Sequence, residues 1–273
     1  MGEESGGEVK GTIDAVTGLV KAVPVYEDLL QPVAKQLGKS LETVGKAINV
    51  ALFPVSSLVW GYENIQVFLS TKLADRLKDV PPEDIITPKP NVAGPAMDAL
   101  RYTGHEDTLS DMYANLLASA MDRSTAKGAH PAFVEIIKQL TPDEAKILSL
   151  FISKSSYPVI NLMTRRIDGK GGSEFLVHYC HLGKMCGLDD ENLIPAYLDN
   201  FCRLGLMAIS PGVYLTADGV YDALENDPVI LQGMKVIERD PARKPGIDRL
   251  AIRATEMGRQ FINACVKQKT AQK

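Results

Sequence analysis

Chemistry in this chain would have to come from a few clustered side chains. His178, Cys180, His181 and Cys186 are all zinc-ligand types. Zinc takes thiolates and imidazoles in a tetrahedron, most readily from ligands paired on one turn, as in Cys-x-x-Cys. No such cysteine pair is present, and the cluster falls where the apolar pattern predicts a helix from Phe175 to Met185, on which residues 178 and 180 face apart. No metal is therefore expected there. Gly169-Lys170-Gly171-Gly172 has the composition of a phosphate loop. It lacks the spacing that aims backbone amides at phosphates and sets a hydroxyl on magnesium, so it reads as a surface turn. Asp189-Asp190-Glu191 could hold nuclease metal ions, yet at a helix start capping and the helix dipole account for them. His105-Glu106 and His130-Pro131 stand at helix junctions with no nucleophile or second carboxylate at motif spacing, which fits capping or interhelical hydrogen bonding. The expectation is a chain without catalytic, cofactor-binding or metal-ligating residues, hence not an enzyme.

The elements that would position these residues are mostly helical. With 45% hydrophobic and 23% charged residues, the chain can bury a core and is not a disordered polyelectrolyte. Its net charge is −4, from 13 basic and 18 acidic residues in 1–140 and 17 and 16 in 141–273, so neither half is a polyphosphate binder by charge alone. The first eleven residues lack the basic start and apolar run of a secretory signal. A cytoplasmic location is expected, at most peripheral to the inner membrane face, with Cys180, Cys186, Cys202 and Cys265 as free, buried thiols.

Apolar residues recur at three- and four-residue spacing from Val9 to Leu77, with Gly and Pro interrupting, so several short helices are predicted there. Five prolines between residues 80 and 95 predict a connector. Leu109, Met112, Tyr113, Leu116, Leu117, Ala120 and Met121 then form the strongest helical face in the chain. Thr141-Pro142-Asp143-Glu144 is a capping box with Pro at the first helical position, and starts a helix that breaks at 153–156. A helix capped by Asp189 carries Leu193, Tyr197 and Phe201 and ends at Gly205. Residues 206–209 and 213–215 predict a small hairpin around Pro211-Gly212, and 235–239 with 249–254 predict strands about a Pro/Gly loop. Thr255 caps a last helix. The expected fold is mainly α: a flexible start over 1–10, a helical domain over 11–140, a winged-helix-like α+β domain over 141–267 and a flexible tail over 268–273.

Two surfaces suggest contacts. The run 47–62 carries no charge, is shorter than a membrane span because it holds only sixteen residues with Pro54 among them, and offers Phe53, Leu58, Trp60 and Tyr62 to a membrane interface or a partner. Arg239, Arg243, Lys244 and Arg249 are the candidate nucleic-acid contacts. Against DNA binding stand Asp190, Glu191 and Asp199, opposed by Arg203 alone, on the would-be recognition helix.

Longer strings carry a resemblance. They are Ala51-Leu52-Phe53-Pro54-Val55 through Leu58-Val59-Trp60-Gly61-Tyr62, and Ala99-Leu100-Arg101-Tyr102-Thr103-Gly104-His105-Glu106. To these are added Met112-Tyr113-Ala114-Asn115-Leu116-Leu117-Ala118 and the run from Ala129-His130-Pro131 to Thr141-Pro142-Asp143. In these strings the chain resembles the bacterial Abi-alpha (abortive infection alpha) family over most of its length. The resemblance implies an antiviral role in which infected cells abort the infection, and it implies no chemistry. Arg101, His105, Asn115 and His130 lie in the matching strings and are the candidate functional polar residues. The function expected is a non-enzymatic antiviral protein acting through a protein partner, a second copy or a membrane surface; the alternative is a winged-helix DNA-binding regulator.

Overall fold

The computed structural model describes residues 62–268; the segment 47–61, with Phe53, Leu58 and Trp60, lies outside them, and of Tyr62 only the helical backbone is described. The first helix, α1 (residues 62–77), is α-helical over Tyr62–Phe68, widens to a π turn over Leu69–Leu73 and is α-helical again over Ala74–Leu77. The connector is shorter than its prolines predict, because Pro90 takes the first position of α2 (Pro90–Thr103) and Pro95 lies within that helix. At the first helical position, where Pro90 stands, a missing N–H costs little. What remains of the connector is pinned down: Ile86 N donates to Met121 O at 2.7 Å and Arg123 N to Asp84 O at 2.9 Å.

The strong apolar face of the sequence becomes α3 (Asp107–Met121), which is buried on almost every side from Leu109 onward. It runs through the centre of the helical part, touching α1, α2, the short helix α4 (Ala132–Ile137) and α5 (Pro142–Leu150). The capping box at the start of α5 forms as its sequence requires: Thr141 Oγ1 accepts from Glu144 N and Glu144 accepts from Thr141 N.

Beyond α5 the chain builds a four-stranded antiparallel sheet in the order β2-β1-β4-β3, from β1 (Ser156–Arg166), β2 (Gly172–Tyr179), β3 (Met207–Ile209) and β4 (Arg243–Ala254). Several expectations are corrected here. Residues 175–179 are strand, and only α6 (Leu182–Cys186) of the expected Phe175–Met185 helix is helical. The helix expected to start at Asp189 is instead capped by Asp190, whose carboxylate accepts from Asn192 N ahead of α7 (Ile194–Arg203). Residues 213–215 form no hairpin with β3, whose partner is β4, in register Met207 to Ala254. Residues 235–237 close a helix, α9 (Pro228–Ile237), which follows the single turn α8 (Asp222–Glu225). The expected end holds: Thr255 accepts from Gly258 N and starts α10 (Glu256–Phe261), which passes into a second π turn, Ile262–Val266.

The sheet separates two apolar clusters. Tyr157, Val159, Leu250 and Ile252 join the main core, which runs from Ile65 to Cys265 and includes all of α3's apolar side chains. Ile160 and Leu162, on the opposite face, pack with Tyr221, Leu224, Ile230 and Ile237 under α8 and α9. This alternation is the period of two that a strand imposes.

Candidate functional site

Four polar residues of α3, Asp107, Asp111, Asn115 and Ser119, recur every fourth position and so lie on one stripe. On one side α1 supplies cations. Lys72 Nζ lies 3.0 Å from Asp107 Oδ1 and 3.1 Å from Asp111 Oδ1, and Arg76 Nη2 lies 3.0 Å from Asp111 Oδ1. Arg76 Nε donates to Asn115 Oδ1 at 2.7 Å. On the other side the last π turn presents carbonyls that have no partner within their helix. Asn115 Nδ2 donates to Cys265 O at 2.9 Å and Ser119 Oγ to Ala264 O at 3.1 Å. The first π turn thus meets the stripe through Lys72 and the last through its carbonyls, while Asn115 links Arg76, just beyond the first π turn, to the last. The stripe ends at a cleft of about 840 Å³ whose lining mixes Arg76 and Lys267 with Asp79, Asp84 and Asp122.

Arg101 and His105 meet at a second place, a groove of about 640 Å³ between α1 and α2. Its apolar lining is Ile65, Val67, Phe68, Leu100 and Tyr102, with Lys72, Arg101 and His105 among its polar residues. Val67 and Tyr102 are 59% and 67% exposed, which is high for side chains of this kind. Arg101 pairs with Asp98 at 3.2 Å and lies over the Tyr102 ring at 5.7 Å. His130 is elsewhere and has a local task, its Nδ1 accepting from Ala132 N at 3.1 Å at the start of α4. The four residues of the family strings therefore divide among a groove, a buried stripe and a cap.

The imidazoles of the cluster at 178–186 turn to carboxylates. His178 stands at φ 53° in a bulge of β2, where residues 177 and 178 face the single residue Asn161 of β1, whose Oδ1 accepts from His178 N at 2.8 Å. Its ring lies 3.3 Å from Asp199. His181 Nε2 and Lys184 Nζ each lie 2.9 Å from Asp227 Oδ2, while Asp227 Oδ1 accepts from Val229 N and caps α9. Burial alone would raise the Asp227 carboxyl, but hydrogen bonds from Val229 N, Lys184, Tyr179 and His181 outweigh it and hold the group well below the usual carboxylate range. Burial pushes the Cys180 thiol up to about 11, so it is no ready nucleophile. Among the described residues no three of these side chains gather as a metal site needs. Cys180 and Cys265 are buried and Cys186 and Cys202 half-buried, all four as free thiols. Asp227 was not singled out from sequence, although Asp227-Pro228 has the form of a helix start.

Arg239, Arg243 and Lys244 lie at one end of the sheet, where Arg243 pairs with Asp240 at 3.1 Å. Arg249 is remote from them, further along β4, bound to Glu225 and lying 5.3 Å over the Tyr221 ring. Among the described residues no helix is long and apolar enough to cross a membrane.

Residues 61–265 match the family model described as abortive infection alpha. No curated protein matches the chain. Among solved structures, an uncharacterized protein from the hydrocarbon-degrading marine bacterium Alcanivorax borkumensis SK2 shares 21% identity, with 51% of this chain and 92% of that chain covered and a TM-score of 0.34. The family match takes in well over half of the 273 residues, including α3 with its polar stripe, the groove and the whole sheet, and on it the chain belongs to the abortive infection alpha family.

Proposed function

We propose that this chain is an antiviral protein of the abortive-infection type that acts by contact and not by catalysis, with the groove between α1 and α2 as the surface offered to a protein partner. The observation that carries this reading is the pair Val67 and Tyr102, exposed at a groove of otherwise buried apolar residues. Aromatic and arginine side chains such as Tyr102 and Arg101 are also the types that anchor interfaces. A non-enzymatic role is supported by the tasks of the polar candidates: Asn115 holds backbone carbonyls, His130 caps α4 and His181 meets a capping carboxylate.

The C-terminal part also favours a winged-helix reading. With β2, α8 and α9 set aside, the order is helix α5, strand β1, helices α6 and α7, then strands β3 and β4, with β4 lying between β1 and β3. In the place of a recognition helix, α7 carries Asp199 and Arg203 and follows Asp190 and Glu191. It has no cationic face for a duplex, and we read it as protein-facing.

The test is phage plating on a susceptible bacterium expressing the full chain with its genomic neighbours, beside Tyr102→Asp and Val67→Asp. Reduced plating is expected for the wild type and restored plating for both variants at equal soluble expression. Unchanged plating by the wild type across a diverse phage panel overturns the antiviral reading. Protection that persists in both variants overturns the groove.

A further inference from the structure

The hairpin end of the sheet gathers charge from two distant parts of the sequence. In the β1–β4 register Arg165 lies opposite Lys244 and Arg166 opposite Arg243. The β1–β2 turn adds Lys170, and Ile167 N donates to Ala242 O at 3.0 Å, which ties the turn to the loop carrying Arg239. All six cations are exposed. Asp168, Asp240 and Asp248 pair with Arg166, Arg243 and Arg165. Lys170, Arg239 and Lys244 make no ion pair among the described residues, and with Glu238 counted the six cations face four carboxylates at this end. In a chain of net charge −4 this is a local excess of positive charge. At its apex the aliphatic Ile167 is 58% exposed, in a turn closed by Gly169 and Gly171 at φ 75° and 95°.

We propose that this end of the sheet is a docking surface for an anionic phospholipid membrane, with Ile167 entering the interface and the surrounding cations meeting headgroup phosphates. An apolar anchor inside a basic patch supplies the two signals that reversible membrane attachment needs. Nucleic acid fits the same charges less well. Segments 165–172 and 238–248 contain no aromatic side chain on which a base could stack, and no helix presents the cations to a groove. This surface is independent of the α1–α2 groove and of the antiviral reading.

The test is co-sedimentation of the full chain with vesicles of phosphatidylcholine alone and of phosphatidylcholine mixed with phosphatidylglycerol. Binding is expected with the anionic vesicles only, and raised salt should release it because exposed charges are screened. The Arg243→Glu/Lys244→Glu double variant should weaken it by about tenfold or more, and so should the separate pair Lys170→Glu/Arg239→Glu. Ile167→Ser should weaken binding while keeping its salt dependence. Arg249→Glu, away from this end, should bind as the wild type. Melting curves of each variant identify any that fails to fold, and two non-overlapping charge reversals keep the test decisive. No preference for anionic vesicles overturns the proposal. So does binding that survives both reversals, which would assign attachment to another segment such as 47–61, and so does a mixed-sequence duplex that displaces the protein from the vesicles at equal phosphate concentration.

Discussion

Asn115 and Asp227 hold this molecule together with single side chains. Asn115 is 4% exposed, accepts from Arg76 Nε and donates to Cys265 O. In Asn115→Leu the size is kept but both partners lose their hydrogen bond, and each buried group left unpaired should cost about 1–3 kcal/mol. A lower urea midpoint at unchanged slope is the expected readout; a midpoint equal to the wild type would mean that these hydrogen bonds contribute no net stability. Asp227 makes stability depend on pH. Its folded carboxyl lies below the ordinary value of 3.8, so the folded state favours the ionised form. The resulting stability is fully present above the unfolded pKa and is lost as pH falls below about 4 towards the folded value. Asp227→Asn should therefore be less stable near neutrality and should lose less on acidification, measured as urea midpoints from neutral pH down through this range. An acid limb as steep as that of the wild type would place the responsible carboxylate elsewhere.

Among the elements, helix starts and close approaches decide the outcome. Glu144 closes the capping box of α5 and also accepts from Asn200 Nδ2 at 2.6 Å, so one cap fixes where α7 lies against α5. Two glycines in helices differ in what surrounds them. A Cβ on Gly258 would stand 1.9 Å from Leu206 O, a backbone atom that the Thr255 cap holds in place, whereas a Cβ on Gly94 in α2 would meet nothing within 4 Å. Gly258→Ala should cost about 1–3 kcal/mol as α10 is forced off β3. Gly94→Ala should stabilise by about 0.4–1 kcal/mol, since the unfolded chain loses freedom and nothing clashes. Opposite shifts in melting temperature are expected, and shifts of the same sign would contradict the packing described here.

At the scale of the molecule, one core crosses the point near residue 140 where the sequence suggests a division. Leu148 of α5 is fully buried in the cluster that contains α3 side chains as well as Tyr157 and Val159 of β1. Removing it should leave a cavity felt by both parts. Leu148→Ala is expected to cost about 2–5 kcal/mol and to lower the exchange free energies of the slowest amides in α3 and in β1 by equal amounts. A change confined to one of them would mean that the parts unfold separately.

What the sequence determined by itself is local. Thr141-Pro142-Asp143-Glu144 and Thr255 start helices where they stand, because a cap needs only side chain and amides three residues apart. The apolar face of α3 and the four-residue spacing of Asp107, Asp111, Asn115 and Ser119 are likewise visible in the chain. β1 was not legible, since Tyr157 and Val159 serve one core and Ile160 and Leu162 the other, which leaves apolar residues on both faces and no clean alternation to mark a strand. Residues 235–237 misled for the opposite reason: a short apolar stretch suits strand or helix, and α9 is decided by the Asp227 cap and by its packing on Ile160 and Leu162. Tertiary structure alone chose β4 as the partner of both β1 and β3. It set Arg165 beside Lys244, brought Lys184 and His181 to Asp227 and laid the last helical turn on Asn115. Each of these contacts joins residues far apart in the chain, and spacing along a sequence carries no record of which distant segment will supply the matching charge or the missing hydrogen bond.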